Sequence, residues 1–277
     1  MIFEQQVAKL IDHIPSAAVP WLRGDTRFAR FIRPIINRAL PDRAMPVVVL
    51  SGQAKGIHML IKPRAEKFYW TGLHEEHTQK AIADILKSGM SYWDVGTHIG
   101  FFALLAGRIV GQTGHVHAFE PVPENLERLR SAISLNNFEN ITVHETAITA
   151  SGGTILLRSH EFSTSWSLME QRGHPEGITV SCETLDSLAQ SLPLPDLIKI
   201  DVEGAEVDVL RGGIEILTNN CLLLFVEFHD RAALAEAQRL LPFYKFKLIA
   251  DMPYPDSSQR SMWLLSKERF ADKLETE

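Results

Sequence analysis

Two glycines four residues apart, Gly96 and Gly100, break the segment YWDVGTHIGFFALLAGRIV at 92–110, where a buried strand gives way to a helix. Gly96 lets the chain leave the strand sharply. The N–H groups that open the following helix can receive an anionic group such as a carboxylate. Twenty residues beyond Gly100, Glu120 closes the strand HVHAFE just before Pro121. A carboxylate there accepts hydrogen bonds from both hydroxyls of a ribose, a charge-assisted arrangement. Turn and carboxylate together point to an adenosine-containing ligand. A dinucleotide adds a pyrophosphate, which needs the packed triplet G-x-G-x-x-G. Here Thr97, His98 and Ile99 fill the space between the glycines. S-adenosyl-L-methionine (SAM) carries no phosphate and is the expected cofactor. A nicotinamide-dependent oxidoreductase on a similar sheet, or a non-catalytic binding module of the same fold, is the alternative.

The elements that must hold these residues follow from periodicity. Residues 1–45 read as two helices broken near Pro15, Pro20 and Gly24, and short strands over 47–50 and 57–61 flank a Ser51-Gly52 turn. Ile82, Ile85 and Leu86 repeat at helical spacing in a helix over 76–87 that Gly89 stops. Strand and helix then alternate. Strands are expected at 92–95, 115–120, 141–146, 196–201 and 221–228, and helices at 99–110, 123–136, 184–191, 205–217 and 230–240. Strands 244–250 and 260–266 have no room for a helix between them and should pair antiparallel. Residues 151–182 read as an irregular excursion, a candidate lid in which Trp166 either stacks on an acceptor ring or packs ordinarily. The alternation implies an α/β fold: a doubly wound, mostly parallel seven-stranded sheet of Rossmann-like type with an antiparallel C-terminal strand. A helical N-terminal extension over 1–65 would precede the main domain at 66–277.

At this point the residues resemble a known family. DVGTHIGFF resembles the first motif of class I SAM-dependent methyltransferases, and DLIKIDVEGAEVDVLRGG at 196–213 is similar to the signature of the FkbM methyltransferases, with LLLFVEFH at 222–229 as the next strand. The resemblance covers about residues 70–250 and implies O-methylation of a hydroxyl on a small molecule, sugar or polyketide-like acceptor. It implies that Asp94, Gly96 and Gly100 shape the cofactor turn, that Glu120 takes the ribose and that Ala147 lies against the adenine. Glu75 would sit near the methionine end. Lys199, Asp201, Glu203 and Glu206 would line the reaction mouth, with Glu227 on the neighbouring strand end. The family often has asparagine where His98 stands. His98 could brace the loop, touch the methionine carboxylate or face the acceptor.

An alcohol attacking the SAM methyl must lose its proton as the bond forms, or be acidified by a metal. Asp201, at a strand's carboxyl end, is the first candidate for base or positioning carboxylate. His229 is the second, since an imidazole of ordinary pKa of about 6.5 suits such work. Each has a plainer reading. Carboxylates such as Glu203 and Glu206 are favoured at a helix start by the dipole alone, Lys199 could simply pair with one of them, and Asp230 could cap the helix after it. His74, Glu75, Glu76 and His77 form H-E-E-H, which lacks the i, i+4 pair of H-E-x-x-H. Asp201 with Glu227 or Asp230 could hold Mg²⁺, but no spacing specifies it, and no obligatory metal is expected.

Composition narrows the partners. Hydrophobic residues make up 45% of the 277, enough for a sizeable core, and the net charge of −6 gives no pull toward nucleic acid. Where methyltransferases of nucleic-acid amines carry an Asn/Asp-Pro-Pro-aromatic loop, this chain reads DVEG. Residues 1–45 hold seven Lys and Arg against four Asp and Glu. The arginines at 23–43 alternate with Phe28, Phe31, Ile32, Ile35 and Ile36. This stretch is either a basic arm for a membrane surface or acidic partner, or a helix with its apolar side on the core. Cys182 and Cys221 form no disulfide framework. With no signal pattern and no stretch of the ~20 apolar residues a membrane span needs, a cytoplasmic location is expected.

Overall fold

The computed structural model describes residues 40–159, 166–167, 177–220, 222–253 and 259–267. The expected helices before residue 40, most of the basic arm and Cys221 lie outside the described residues. The elements run as β1 (Met45–Val48), β2 (His58–Ile61), α1 (Lys67–Thr71), α2 (Glu76–Ile85), β3 (Ser91–Val95), α3 (Phe101–Val110), β4 (His115–Phe119), α4 (Pro123–Leu135) and β5 (Ile141–His144). Then come β6 (Ala147–Ile148), β7 (Gly153–Ser159), β8 (Trp166–Ser167), β9 (Gly177–Glu183), α5 (Leu185–Leu188) and β10 (Leu197–Ile200). The last are α6 (Glu206–Arg211), α7 (Ile214–Asn219), β11 (Leu223–Phe228), α8 (Arg231–Leu240), β12 (Tyr244–Pro253) and β13 (Gln259–Lys267).

The main sheet has seven strands in the order β12-β13-β11-β10-β3-β4-β5. From β11 through β10, β3 and β4 to β5 every pairing is parallel, and β13 is antiparallel to both of its neighbours. This is the α/β sheet that the alternation predicts. The C-terminal strand is not its edge: β13 slots between β11 and β12. Strands covered on both faces run apolar without a polar side. In β3, Tyr92 joins Ile82, Phe102 and Leu129 on the α2–α4 face, while Trp93 and Val95 join Leu185, Val209 and Leu217 on the other.

The described part of the N-terminal extension packs into that first face. β1 and β2 pair antiparallel, and Val47, Met59 and Ile61 share the cluster with Ile82 and Leu129. Arg128 of α4 ties the hairpin down: its Nε donates to Leu60 O at 3.0 Å, and its guanidinium forms a buried fork with Glu66.

The structure departs from the periodicity in two places. The described parts of residues 151–182 are not irregular, because β7 and β9 pair antiparallel over Gly153–Arg158 and Gly177–Cys182, flanked by β6 and β8 in a second sheet. The alternation in GITVSCE, with Ile178, Val180 and Cys182 less exposed than their neighbours, is the signal; its surroundings of Ser and Gly obscured it. The helix expected over 205–217 is two helices, broken at Gly212-Gly213. A Cβ at Gly212 would fall 2.1 Å from Thr149 O, so the chain needs glycine where it crosses the root of the second sheet.

Candidate functional site

The strand order reverses between β3 and β10, the place where open α/β sheets hold ligands. A cavity of about 310 Å³ opens there. Its floor is the turn after β3. Gly96 N and Thr97 N both donate to Phe119 O at 3.1 Å, and Thr97 Oγ1 donates to Asp94 O at 2.7 Å. Gly96 has φ +81° and passes so close to β10 that a Cβ would lie 1.8 Å from Asp201 O. His98 follows at φ 53°, a left-handed position that His and Asn tolerate better than most residues. Its N–H donates to Glu120 Oε2 at 2.8 Å, and its Nδ1 lies 3.2 Å from Tyr69 Oη. Gly100 serves packing: its Cβ would meet Leu129 Cδ1 at 2.3 Å, so the glycine lets α3 approach α4.

Glu120 is buried and held by three donors. Besides His98 N, Val122 N and Asn125 Nδ2 reach its Oε1 at 2.9 and 3.1 Å. Burial nevertheless raises its pKa above the ordinary carboxylate value. Glu75, also in the cavity lining, sits at φ 43° and pairs through Oε1 with His74 Nε2 at 3.1 Å. Glu75 Oε2 is buried and has no hydrogen-bond partner among the described residues. Burial opposes its charge, yet His74 and Lys199 hold its pKa below normal. The cavity therefore presents an ionised, unsatisfied carboxylate oxygen.

The acidic mouth gathers side chains from two strand ends and one helix start. Lys199 is wholly buried, donates to Asp201 Oδ2 at 2.8 Å and lies 4.8 Å from the Phe102 ring centre. His229 points into the group. Its Nδ1 is 2.7 Å from Glu206 Oε1, and its Nε2 is 3.3 Å from Glu203 Oε2, 3.7 Å from Glu227 Oε1 and 4.0 Å from Asp201 Oδ1. The electrostatics differ from those expected for a base. Burial works against ionised Asp201, but Lys199 and His229 hold it down to about 2. Burial works against charged His229 too, but Glu203, Glu206 and Asp201 raise it to about 11. Glu227 is pushed well above the carboxylate range by burial and by the charges of Asp201 and Glu75. His229 is thus an imidazolium at neutral pH and takes no proton.

A family model described as the Methyltransferase FkbM domain matches residues 94–250. The chain belongs to the FkbM methyltransferase family. Among curated relatives it is 28% identical over 165 residues to the hexuronic acid methyltransferase AglP of Haloferax volcanii, a match covering 54% of this chain and 60% of that one. It is 25% identical to methyltransferase 1 of Beauveria bassiana, over 64% of this chain and 80% of that one. A solved FkbM methyltransferase from Methylobacillus flagellatus KT is 19% identical with a TM-score of 0.49, covering 65% of this chain and 45% of that one. The chain thus spans less than two thirds of the haloarchaeal relative and about half of the solved chain.

Of the candidate site residues read from the sequence, Glu75, Gly96, His98, Glu120, Ala147, Asp201, Glu203 and Glu227 line the cavity. Asp94, Gly100, Lys199 and His229 do not; they lie behind it and brace the residues that do. Asp230 accepts from Ala233 N at 2.7 Å, the helix cap of the plainer reading. Glu206 likewise accepts from Gly204 N at 2.8 Å. In H-E-E-H, His77 is exposed while His74 and Glu75 turn inward. The side chain of Trp166 lies outside the described residues. The sequence reading missed Phe68, Tyr69, Asn125 and Arg260, which also line the cavity. Asn125 was findable, five residues after Glu120 at a helix start. Arg260 was not, because only the insertion of β13 beside β11 brings it to Glu203, at 3.1 Å.

The turn has a measurable acid response. Burial lowers the His98 pKa to about 4. From about 6.5 downward the unfolded chain takes up a proton that the folded one refuses until about 4, so His98 costs stability as pH falls through that window. Asp94, raised to about 6 chiefly by burial, works the other way, since the folded chain protonates it first. Comparison with His98→Asn isolates the first effect, because asparagine suits the same φ. Between pH 7 and 5 the variant is expected to gain about 2 kcal/mol on the wild type, one pH unit of proton uptake being about 1.4 kcal/mol. Urea unfolding at both pH values checks it, and a pH-independent difference would contradict the buried neutral imidazole.

Proposed function

We propose that this FkbM-family chain is a SAM-dependent O-methyltransferase acting on a small hydroxylated acceptor, with sugar acids the first class to try. The observation that carries the reading is one cavity lined by two matched carboxylates. The glycine turn with Glu120 is suited to ribose. Glu75 Oε2, a buried carboxylate oxygen without a hydrogen-bond partner among the described residues, is suited to the ammonium of the methionine moiety. Ala147 and Ile148 line the same cavity and offer an apolar surface for adenine, which lies on the far side of the ribose from the methionine. SAM, when bound, supplies an electrophilic methyl group on a sulfonium.

The chain's own part is positioning and exclusion of water. Lys199 fixes Asp201 through Oδ2, and the Asp201 carboxylate lines the cavity where the acceptor would bind. Phe68, 42% exposed at the cavity, offers a face for a sugar ring. Arg260 lines the cavity in an ion pair with Glu203 at 3.1 Å, and the hexuronic acid methyltransferase among the relatives supports sugar acids as the acceptor class to try. No described helix is long and apolar enough to cross a membrane.

Calorimetry with SAM and with NADH tests the cofactor. One SAM per chain and no NADH binding is expected; NADH binding without SAM would sink the reading. Incubation with labelled SAM and a panel of hexuronic acids, neutral sugars and polyketide alcohols, read by mass spectrometry, then tests the acceptor class. Methylation confined to amines or thiols would remove the O-methyl assignment.

A further inference from the structure

We propose that Asp201, Glu227 and His229 form a divalent-cation site, for Mn²⁺ or Mg²⁺, beside the cavity. Each offers a ligand atom, and these atoms lie within 4.8 Å of one another. An octahedral ion with bonds of about 2.1 Å sets neighbouring donors about 3 Å apart and opposite donors about 4.2 Å apart. His229 Nε2 stands 3.7 Å from Glu227 Oε1 and 4.0 Å from Asp201 Oδ1, distances one ion can bridge with small adjustments.

The imidazole carries the inference beyond a cluster of acids. Its side chain is only 9% exposed, and Nε2 is buried without a hydrogen-bond partner among the described residues. It faces Glu203 Oε2 at 3.3 Å as well as the Glu227 and Asp201 oxygens. The opposite ring nitrogen, Nδ1, is held by Glu206 Oε1 at 2.7 Å. A carboxylate behind a histidine is the usual support of a metal-bound imidazole, since it fixes the ring and leaves the lone pair on the other nitrogen. Asp201 is prepared in the same way. Lys199 takes Oδ2 and leaves Oδ1 toward His229.

Two carboxylates and one imidazole favour Mn²⁺ or Mg²⁺ over soft ions, and the nitrogen tilts the choice toward Mn²⁺. Three protein donors leave coordination positions open. Asp201 and Glu227 line the cavity, so those positions face it. Resting on the methyltransferase reading, the site then selects acceptors with two adjacent oxygens, either vicinal hydroxyls or a hydroxyl beside a carboxylate, that chelate the ion.

The test uses the full chain stripped with EDTA and titrated with MnCl₂, free Mn²⁺ being read by electron paramagnetic resonance. One Mn²⁺ per chain is expected without SAM. Glu227→Gln and His229→Gln should each weaken it at least tenfold, and Asp230→Asn should leave it unchanged. Circular dichroism checks that each variant folds, and Asp201→Asn stands in for one that does not. No stoichiometric Mn²⁺, or Mn²⁺ bound equally by the variants, overturns the site. SAM calorimetry on the stripped protein separates the outcomes: SAM binding without Mn²⁺ binding removes only the cation site, and loss of SAM binding removes the reading beneath it.

Discussion

Alanine at Gly96 is expected to cost about 4 kcal/mol or more, the range reserved for the most disruptive single substitutions. Three facts combine. The backbone at Gly96 has φ +81°, which a Cβ disfavours. The added carbon would sit 1.8 Å from Asp201 O and 2.8 Å from its carbonyl carbon. That carbonyl cannot retreat, because Asp201 N is bonded to Val95 O at 3.0 Å and holds the end of β10 against β3. A typical domain has about 5–15 kcal/mol in total, so much of the protein should unfold or lose the turn. Gly100→Ala makes the contrast. Its Cβ would meet the tip of the Leu129 side chain, which can rotate, so the loss should be clearly smaller despite φ +92°. Urea midpoints of both variants decide the matter. Near-equal midpoints would mean that the approach of β3 to β10 is softer than these distances require.

Glu120→Ala is expected to weaken SAM binding about 100-fold. Two hydrogen bonds to a charged acceptor are worth about 1.5 kcal/mol or more each, and about 2.8 kcal/mol is two decades of affinity. The structure adds a second loss. Glu120 also receives His98 N, Val122 N and Asn125 Nδ2, so its removal strands three donors and loosens the turn it should present to the ligand. Glutamine is therefore not a mild replacement, because its amide would set a donor against donors. It should fall between alanine and wild type. Calorimetry on folded variants checks the order, and unchanged SAM affinity in Glu120→Ala would remove the ribose assignment.

Much of this architecture was legible because its strands are buried on both faces. Runs such as DLIKI and LLLFVEF announce themselves when no polar face interrupts them. The second sheet hid because its strands are largely exposed and carry Ser, Thr and Gly. The helix break at Gly212 hid because a lone pair of glycines says nothing of Thr149, more than sixty residues earlier. The site divides likewise. Gly96 and Glu120 are local features of a strand end and could be read in place. The character of His229 could not. Its ordinary pKa made it a candidate base, whereas Glu203, Glu206 and Asp201 converge on it only in three dimensions and turn it into a cation. His98 is the intermediate case. The family's habit of asparagine there makes sense once φ is seen to be 53°, a conformation the two side chains share.

Among the described residues, the second sheet is pinned at its root. Gly212 lies hard against Thr149, Thr149 N donates to Glu183 O at 2.9 Å, and Asp186 receives Glu215 N and Ile216 N at 3.1 and 2.9 Å. These contacts weld the root of β6 and β9 to α6 and α7, beside the wall formed by Ala147 and Ile148. Farther out, β8 pairs with β7 alone among the described strands. The root is thus a fixed socket, from which family members can vary the exposed faces of β7 and β9 without moving the wall against which the methyl donor would rest.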